Sequence, residues 1–334
     1  MKIAITGGCG FLGTNVALRL MSRGHSVVCV DNFSRRGSEW NGATLKRAGA
    51  CVKEGDFPYF VYKDFDVVLH YAAQVTVSES LEDPYGDFQT NVSKTLMMLD
   101  NIGRDASTTP VFIYASTNKV YGQGSFDLIS EDFPLGYTSP YALSKGTADN
   151  YFTMLGHLGD LSSIVLRQSC LYGSYQHGIE GQGWLAWFLQ KIVGGETLTI
   201  FGDGQQVRDV LEVRDYANLI VKIIEHPNLR HQLATGEVFN VGGGVENALS
   251  LMQAVDIIAG LTKSNPKIRF EVGRLGDQQH YVSDIEKVNT VFNWQPKISP
   301  ERGLTDLLKW VQMRIPSESY MIIEGGDCER GYFV

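Results

Sequence analysis

The chain has 334 residues, 43% apolar and 20% charged, the balance of a water-soluble globular protein with room for one large or two moderate domains. A net charge of −8 argues against nucleic acid or an anionic membrane as the main partner, so an anionic nucleotide ligand would need locally placed arginines. The five scattered cysteines (9, 29, 51, 170 and 328) form no CxxC pair, which predicts a reducing compartment and no metal site; with no leader and no run of transmembrane length, a cytoplasmic enzyme is expected. In chain order, Lys2–Thr6 reads as a buried strand and residues 14–22 as an amphipathic helix. Residues 26–30 follow as a β-branched strand ending at Asp31. Further strands are predicted at 50–56, 66–70, 111–115 and 163–167. Helices are predicted over 87–103, from Ser139 to about residue 158, and over 181–193, 249–260 and 304–313. Short strands are expected at 198–201 and 238–241 in a looser second half. Residues 315–334 carry no periodicity and read as a tail. The alternation predicts an α/β, Rossmann-like doubly wound parallel sheet. Residues 1–168 would form that domain. Residues 169–314 would form mainly a smaller α+β substrate-binding region, parts of it packing back on the sheet.

The first βαβ unit carries the first chemistry. The run Gly7-Gly-Cys-Gly-Phe-Leu-Gly13 joins strand to helix. Gly7 allows the tight turn, Gly10 lets backbone approach a pyrophosphate, and Gly13 lets helix and strand pack closely. The helix then presents free N–H groups, an anion site. Asp31, at the end of the second strand, suits adenosine ribose hydroxyls and repels a 2′-phosphate, which favours NAD over NADP. Arg35 and Arg36 follow in a loop; they are read either as solvated surface or as reaching a 2′-phosphate. Asp56 and Phe57 would meet the adenine edge, and the small residues Ala72 and Ala73, before Gln74, leave room at a strand end.

Tyr141 and Lys145 lie four apart at a helix start, so they share one face. A free tyrosine titrates near pH ~10, but a neighbouring ammonium and a nicotinamide cation favour phenolate. Tyr141 is therefore expected to have a lowered pKa and to act as base toward a sugar hydroxyl, with Thr117 supplying a second hydroxyl. The bland reading is an incidental Tyr-x-x-x-Lys pair on a surface helix.

The glycine run, Asp31-Asn32, Asn91-Val92, Ser116-Thr117 and Tyr141-x-x-x-Lys145 resemble, in order, the nucleotide-sugar epimerases and dehydratases of the extended short-chain dehydrogenase/reductase family, to about residue 314. Five further segments (116–122, 139–146, 182–188, 206–211 and 274–278) are similar to its CDP-hexose 2-epimerases of the CDP-paratose/CDP-tyvelose type. The resemblance implies a catalytic set of Thr117, Tyr141 and Lys145. It implies NAD contacts from Gly7, Gly10, Phe11, Leu12, Gly13, Asp31, Asn32, Ser34, Asp56, Phe57, Ala72, Ala73, Gln74, Asn91, Ala115 and Ser169, besides Tyr141 and Lys145. Substrate contacts fall on Gln74, Thr117, Asn118, Cys170, Gln182, Gly183, Trp184, Val207, Arg208, Arg274 and Asp277, the two arginines gripping a diphosphate. Trp184 and Trp187 read equally well as core aromatics, and both arginines as surface ion pairs.

Dehydratases of the family carry an Asp-Glu pair after the catalytic threonine and uronic acid decarboxylases a glutamate at the second position; here stand Asn118 and Lys119. The resemblance therefore implies an epimerase that removes a hydride to bound NAD and returns it to the opposite face. A CDP-sugar substrate is favoured, and the family implies a dimer or tetramer. The alternatives are another enzyme of the family (4-epimerase, dehydratase or decarboxylase on a UDP-, dTDP- or GDP-sugar) and a non-enzymatic NAD sensor.

Overall fold

The computed structural model describes residues 1–123, 128–274 and 276–314. The predicted tail, 315–334, lies outside the described residues. The strands β1 (Lys2–Thr6), β2 (Ser26–Asp31), β3 (Cys51–Glu54), β4 (Val67–His70), β5 (Val111–Thr117) and β6 (Ser163–Gln168) alternate with helices. The chain then runs through β7 (Cys170–Tyr172), β8 (Leu198–Phe201) and β9 (Val207–Glu212) before β10 (Thr235–Val241). One parallel seven-stranded sheet results, in the order β10-β6-β5-β4-β1-β2-β3. The order reverses between β1 and β4, so their carboxyl ends open the crevice where ligands bind in such sheets.

The central strands are mostly apolar because helices cover both faces: every residue of β4, β5 and β6 is buried, the polar ones gathering at their carboxyl ends apart from Ser163. The helix Phe11–Ser22 turns Val16, Ala17 and Leu20 onto the sheet, beside the amphipathic helix Val213–Ile224. The long helix Pro140–Leu158 starts where the sequence signals it. Ser139 accepts from the Ala142 N–H at 3.1 Å and Pro140 occupies the first turn, where its missing N–H costs nothing.

Residues 238–241 are a part of the second half that packs back on the main sheet: β10 lies beside β6, with Val241 opposite Gln168. One expectation is corrected. Residues 87–103 are not one regular helix, since a π-turn at Gln89–Ser93 separates Pro84–Phe88 from Lys94–Ile102. Such a turn re-aims side chains within a helical run, and this one carries Asn91.

Beyond the sheet, β9 pairs with β7 and with β11 (Ala248–Ser250) and β13 (His280–Tyr281), while β8 pairs with β12 (Ile268–Glu271). A second core, with Leu185, Phe188, Leu189, Val255 and Leu304, holds these strands against the helices Trp184–Val193 and Leu251–Thr262.

Candidate active site

A cavity of about 660 Å³ opens at the carboxyl ends of β1, β2 and β4. Gly7, Gly10, Phe11, Leu12, Gly13, Asp31, Asn32, Ser34, Asp56, Phe57, Ala72, Ala73 and Gln74, all expected at the cofactor, line it. Gly7 has φ +62°, and a Cβ there would stand 2.9 Å from the Ala72 nitrogen. No side chain caps the helix at Gly10, so its first-turn N–H groups remain for an anion. Asp31 is buried, with Oδ2 accepting from the Cys9 N–H and Oδ1 from the Phe33 N–H, both at 2.9 Å. Burial raises its pKa against the pull of these N–H donors.

Asn91, Ala115 and Ser169, also expected at the cofactor, are not among the residues that line this cavity. Asn91 donates to the Gln74 carbonyl at 3.1 Å and to the Ser144 hydroxyl at 3.0 Å, and accepts from the Gln74 N–H at 2.8 Å. Its amide thereby fixes the 72–74 loop against the long helix. Ser169 turns its hydroxyl to the Asp209 carbonyl at 2.9 Å. Ala115 is buried within β5.

Thr117, Tyr141 and Lys145 come together beside the cavity, all at most 9% exposed. The Thr117 hydroxyl accepts from the Lys119 N–H at 3.2 Å and hydrogen-bonds the Tyr141 phenol. The Lys145 ammonium lies 4.1 Å from the Tyr114 ring centroid, on a stack that continues through Phe152. Burial drives Lys145 down to about 7, while Asp149 and Asp87 pull the other way. The expected lowering of Tyr141 is not found. Burial raises the phenol to about 12, opposed by the Thr117 hydrogen bond and the Arg35 charge. Desolvation, with the Asp87 charge added to it, outweighs the Thr117 hydrogen bond and the Arg35 charge.

On the substrate side, Arg208 of β9 is buried, and its Nη2 meets Asp277 Oδ1 at 2.8 Å. Lys119 approaches the same oxygen at 3.7 Å. Arg274 stacks on Phe201, 3.8 Å from the ring centroid, and donates to the Glu180 carbonyl at 3.1 Å. Gln182 lines the cavity and accepts from Arg35 Nη2 at 2.7 Å, and Gly183 turns the chain with φ +73°. Trp184 opens its helix and packs on the second core, its buried indole N–H turned toward the Cys170 thiol. Cys170 and Val207 flank Arg208 on β7 and β9.

The NAD dependent epimerase/dehydratase family model matches residues 3–242. This chain belongs to that family. It is 33% identical to the CDP-paratose 2-epimerase of Salmonella typhi, over 93% of this chain and 99% of the relative. It is 30% identical to a dTDP-glucose 4,6-dehydratase of Xanthomonas campestris pv. campestris, over 92% of each chain. A solved UDP-glucose 4-epimerase from Thermus thermophilus, in complex with NAD, superposes with a TM-score of 0.81 at 26% identity, covering 93% of this chain and 99% of that one.

The family's cofactor, NAD, fits what the cavity offers. The uncapped helix start at Gly10 suits a pyrophosphate, and Gln74 and Gln176, which line the cavity, each have a buried Oε1 without a partner among the described residues. Sequence reading missed its roof. Tyr175, Gln176 and His177 cross over the glycine loop, with Asn41 donating to the Cys9 carbonyl at 3.1 Å and to the Tyr175 carbonyl at 3.3 Å. Lys94, 2.6 Å from Asp56, was also missed. Arg35 is half-buried and lines the cavity, spanning the cleft toward Gln182.

Proposed function

We propose that this member of the epimerase/dehydratase family is a nucleotide-sugar epimerase that inverts carbon 2 of a CDP-hexose. One observation carries the choice of epimerisation. Elimination or decarboxylation would use acidic groups directly after Thr117, whereas positions 118 and 119 hold an amide bonded to Gln278 and an ammonium paired with Asp277. The CDP-sugar and carbon 2 rest on the likeness to the Salmonella typhi enzyme, which spans nearly both chains.

NAD, when bound, supplies the hydride acceptor and donor of a reaction with no net redox change. The chain's own part is proton handling and placement. Tyr141 takes and returns the hydroxyl proton of the sugar, Thr117 hydrogen-bonds the same oxygen, and Lys145 supplies positive charge beneath the phenol. Arg208 and Arg274 hold the diphosphate.

The test is a proton NMR time course with CDP-paratose or CDP-tyvelose in deuterated water. A carbon-2 epimer free of deuterium is expected. Deuterium at carbon 2 would replace hydride return with enolisation, and no turnover of either sugar would overturn the substrate assignment.

A further inference from the structure

Lys119 belongs to no step assigned so far, yet it sits at the centre of the substrate side. It is the second residue of the 3-10 turn Asn118–Tyr121 that follows β5. Its backbone N–H holds the Thr117 hydroxyl at 3.2 Å, while its ammonium reaches Asp277 Oδ1, the oxygen that Arg208 holds at 2.8 Å. The side chain thus spans from the reacting hydroxyls to the arginine. The turn is locked in place by Gln278, fully buried, which donates to the Gly122 carbonyl at 2.7 Å and accepts from Asn118 at 3.4 Å.

The charges in this cluster do not balance. Lys119 and Arg208, with side chains 21% and 6% exposed, face one carboxylate, Asp277, itself 30% exposed. Asp209 does not contribute, because strand alternation turns it to the other face of β9, where it accepts from Ser169 and the Gly244 N–H. The Cys170 thiol beside the cations is raised by burial and so carries no charge near neutral pH. Arg274 is occupied with Glu180. Among the described residues two cations face one carboxylate, and burial together with the Arg208 charge pushes the Lys119 pKa down, so its ammonium is held at a cost unless an anion completes the cluster.

We propose that Lys119 and Arg208 form a two-cation seat for the sugar-side phosphate of a nucleoside diphosphate sugar, with Asp277 as their shared counter-ion. The proposal rests on the reading of the substrate as a nucleotide sugar, and it adds which phosphate is recognised and by what. The sugar-side phosphate lies next to the ring, as Lys119 lies next to Thr117. The nucleoside-side phosphate is left to Arg208 and Arg274. Lys119 is on this account a binding and positioning residue, and its ammonium takes no part in proton transfer.

The test compares binding of CDP and CMP to the NAD-loaded wild type, Lys119→Met and Lys119→Arg by titration calorimetry. Removing one buried charge-assisted contact predicts that Lys119→Met weakens CDP roughly ten- to a hundredfold and leaves CMP within about twofold. Lys119→Arg should keep most of the preference for CDP, which also answers any folding defect in the methionine variant. Equal weakening of CMP and CDP, or of neither, would overturn the proposal. A parallel titration of the wild type with UDP and dTDP tests the assigned base separately. If one of these binds tighter than CDP, the base is reassigned and the diphosphate-to-monophosphate ratio for that nucleoside decides Lys119.

Discussion

Arg167 grips Asp149 in a bidentate pair, Nε to Oδ2 at 2.9 Å and Nη2 to Oδ1 at 3.1 Å, one helical turn past Lys145. Asp149 also accepts from the Ser116 hydroxyl at 2.6 Å, so one buried carboxylate ties β5, β6 and the helix Pro140–Leu158 together next to Thr117. Leaving Arg167 buried without its partner costs ~3–5 kcal/mol in comparable cases. Asp149→Asn is therefore expected to lower unfolding stability by about that amount in urea titrations. A loss below ~1 kcal/mol would mean that the pair does not hold these elements together.

Tyr141→Phe removes the phenolic hydroxyl without touching the cavity walls that suit NAD. Turnover is expected to fall by roughly 10²- to 10⁴-fold, the usual size of a general acid–base contribution. The NAD content of the purified variant, read from the denatured protein, should match the wild type. Near-normal turnover would remove Tyr141 from the mechanism.

Lys145 makes a pH prediction for the NAD-free protein. Its folded value of about 7 lies below the ordinary 10.5, so between these values the unfolded chain holds a proton that the folded chain has released. Stability contributed by this group therefore rises with pH across that window, and below pH 7 the full cost of burying the ammonium remains. Tyr141 acts in the opposite sense, but only above pH 10, where the unfolded phenol ionises before the folded one. Urea midpoints of the wild type and Lys145→Met should thus diverge between about pH 6.5 and 9.5, the wild type gaining relative to the variant. A constant difference would show that Lys145 titrates at its ordinary value in the folded chain.

What could be read from the sequence is what depends on neighbours along the chain. The glycine loop, the acid ending β2, the Ser139 cap and the Tyr-x-x-x-Lys spacing each follow from one element and its edge. The roof at Tyr175–His177 could not be read that way, because its position depends on Asn41 of the distant helix Ser38–Arg47 and on a non-glycine residue at φ +64°. The edge strand β10 was legible as a strand but not by its neighbour, because a short apolar run looks the same in any sheet and only its pairing with β6 assigns it. The phenol of Tyr141 was expected to be acidified, since the sequence shows the neighbouring cation but not the burial that outweighs it.

The glycine loop supplies the sharpest test of the cofactor site. A Cβ on Gly13 would stand 2.5 Å from the Gly7 carbonyl oxygen and 2.6 Å from the Gly8 Cα, both backbone atoms that cannot swing away. Gly13→Ala must therefore push the loop off the helix start, and with it the N–H groups that would face a pyrophosphate. The expected result is a protein purified with little or no NAD and destabilised by ~1–3 kcal/mol, the usual cost of overpacking. Gly260→Ala is the matched control. It lies inside the helix Leu251–Thr262, and its added Cβ would meet nothing within 4 Å. That change should keep NAD and stabilise the fold by about 0.5–1 kcal/mol through helix propensity alone. Equal NAD content in the two variants would show that the close approach at Gly13 does not shape the cofactor site.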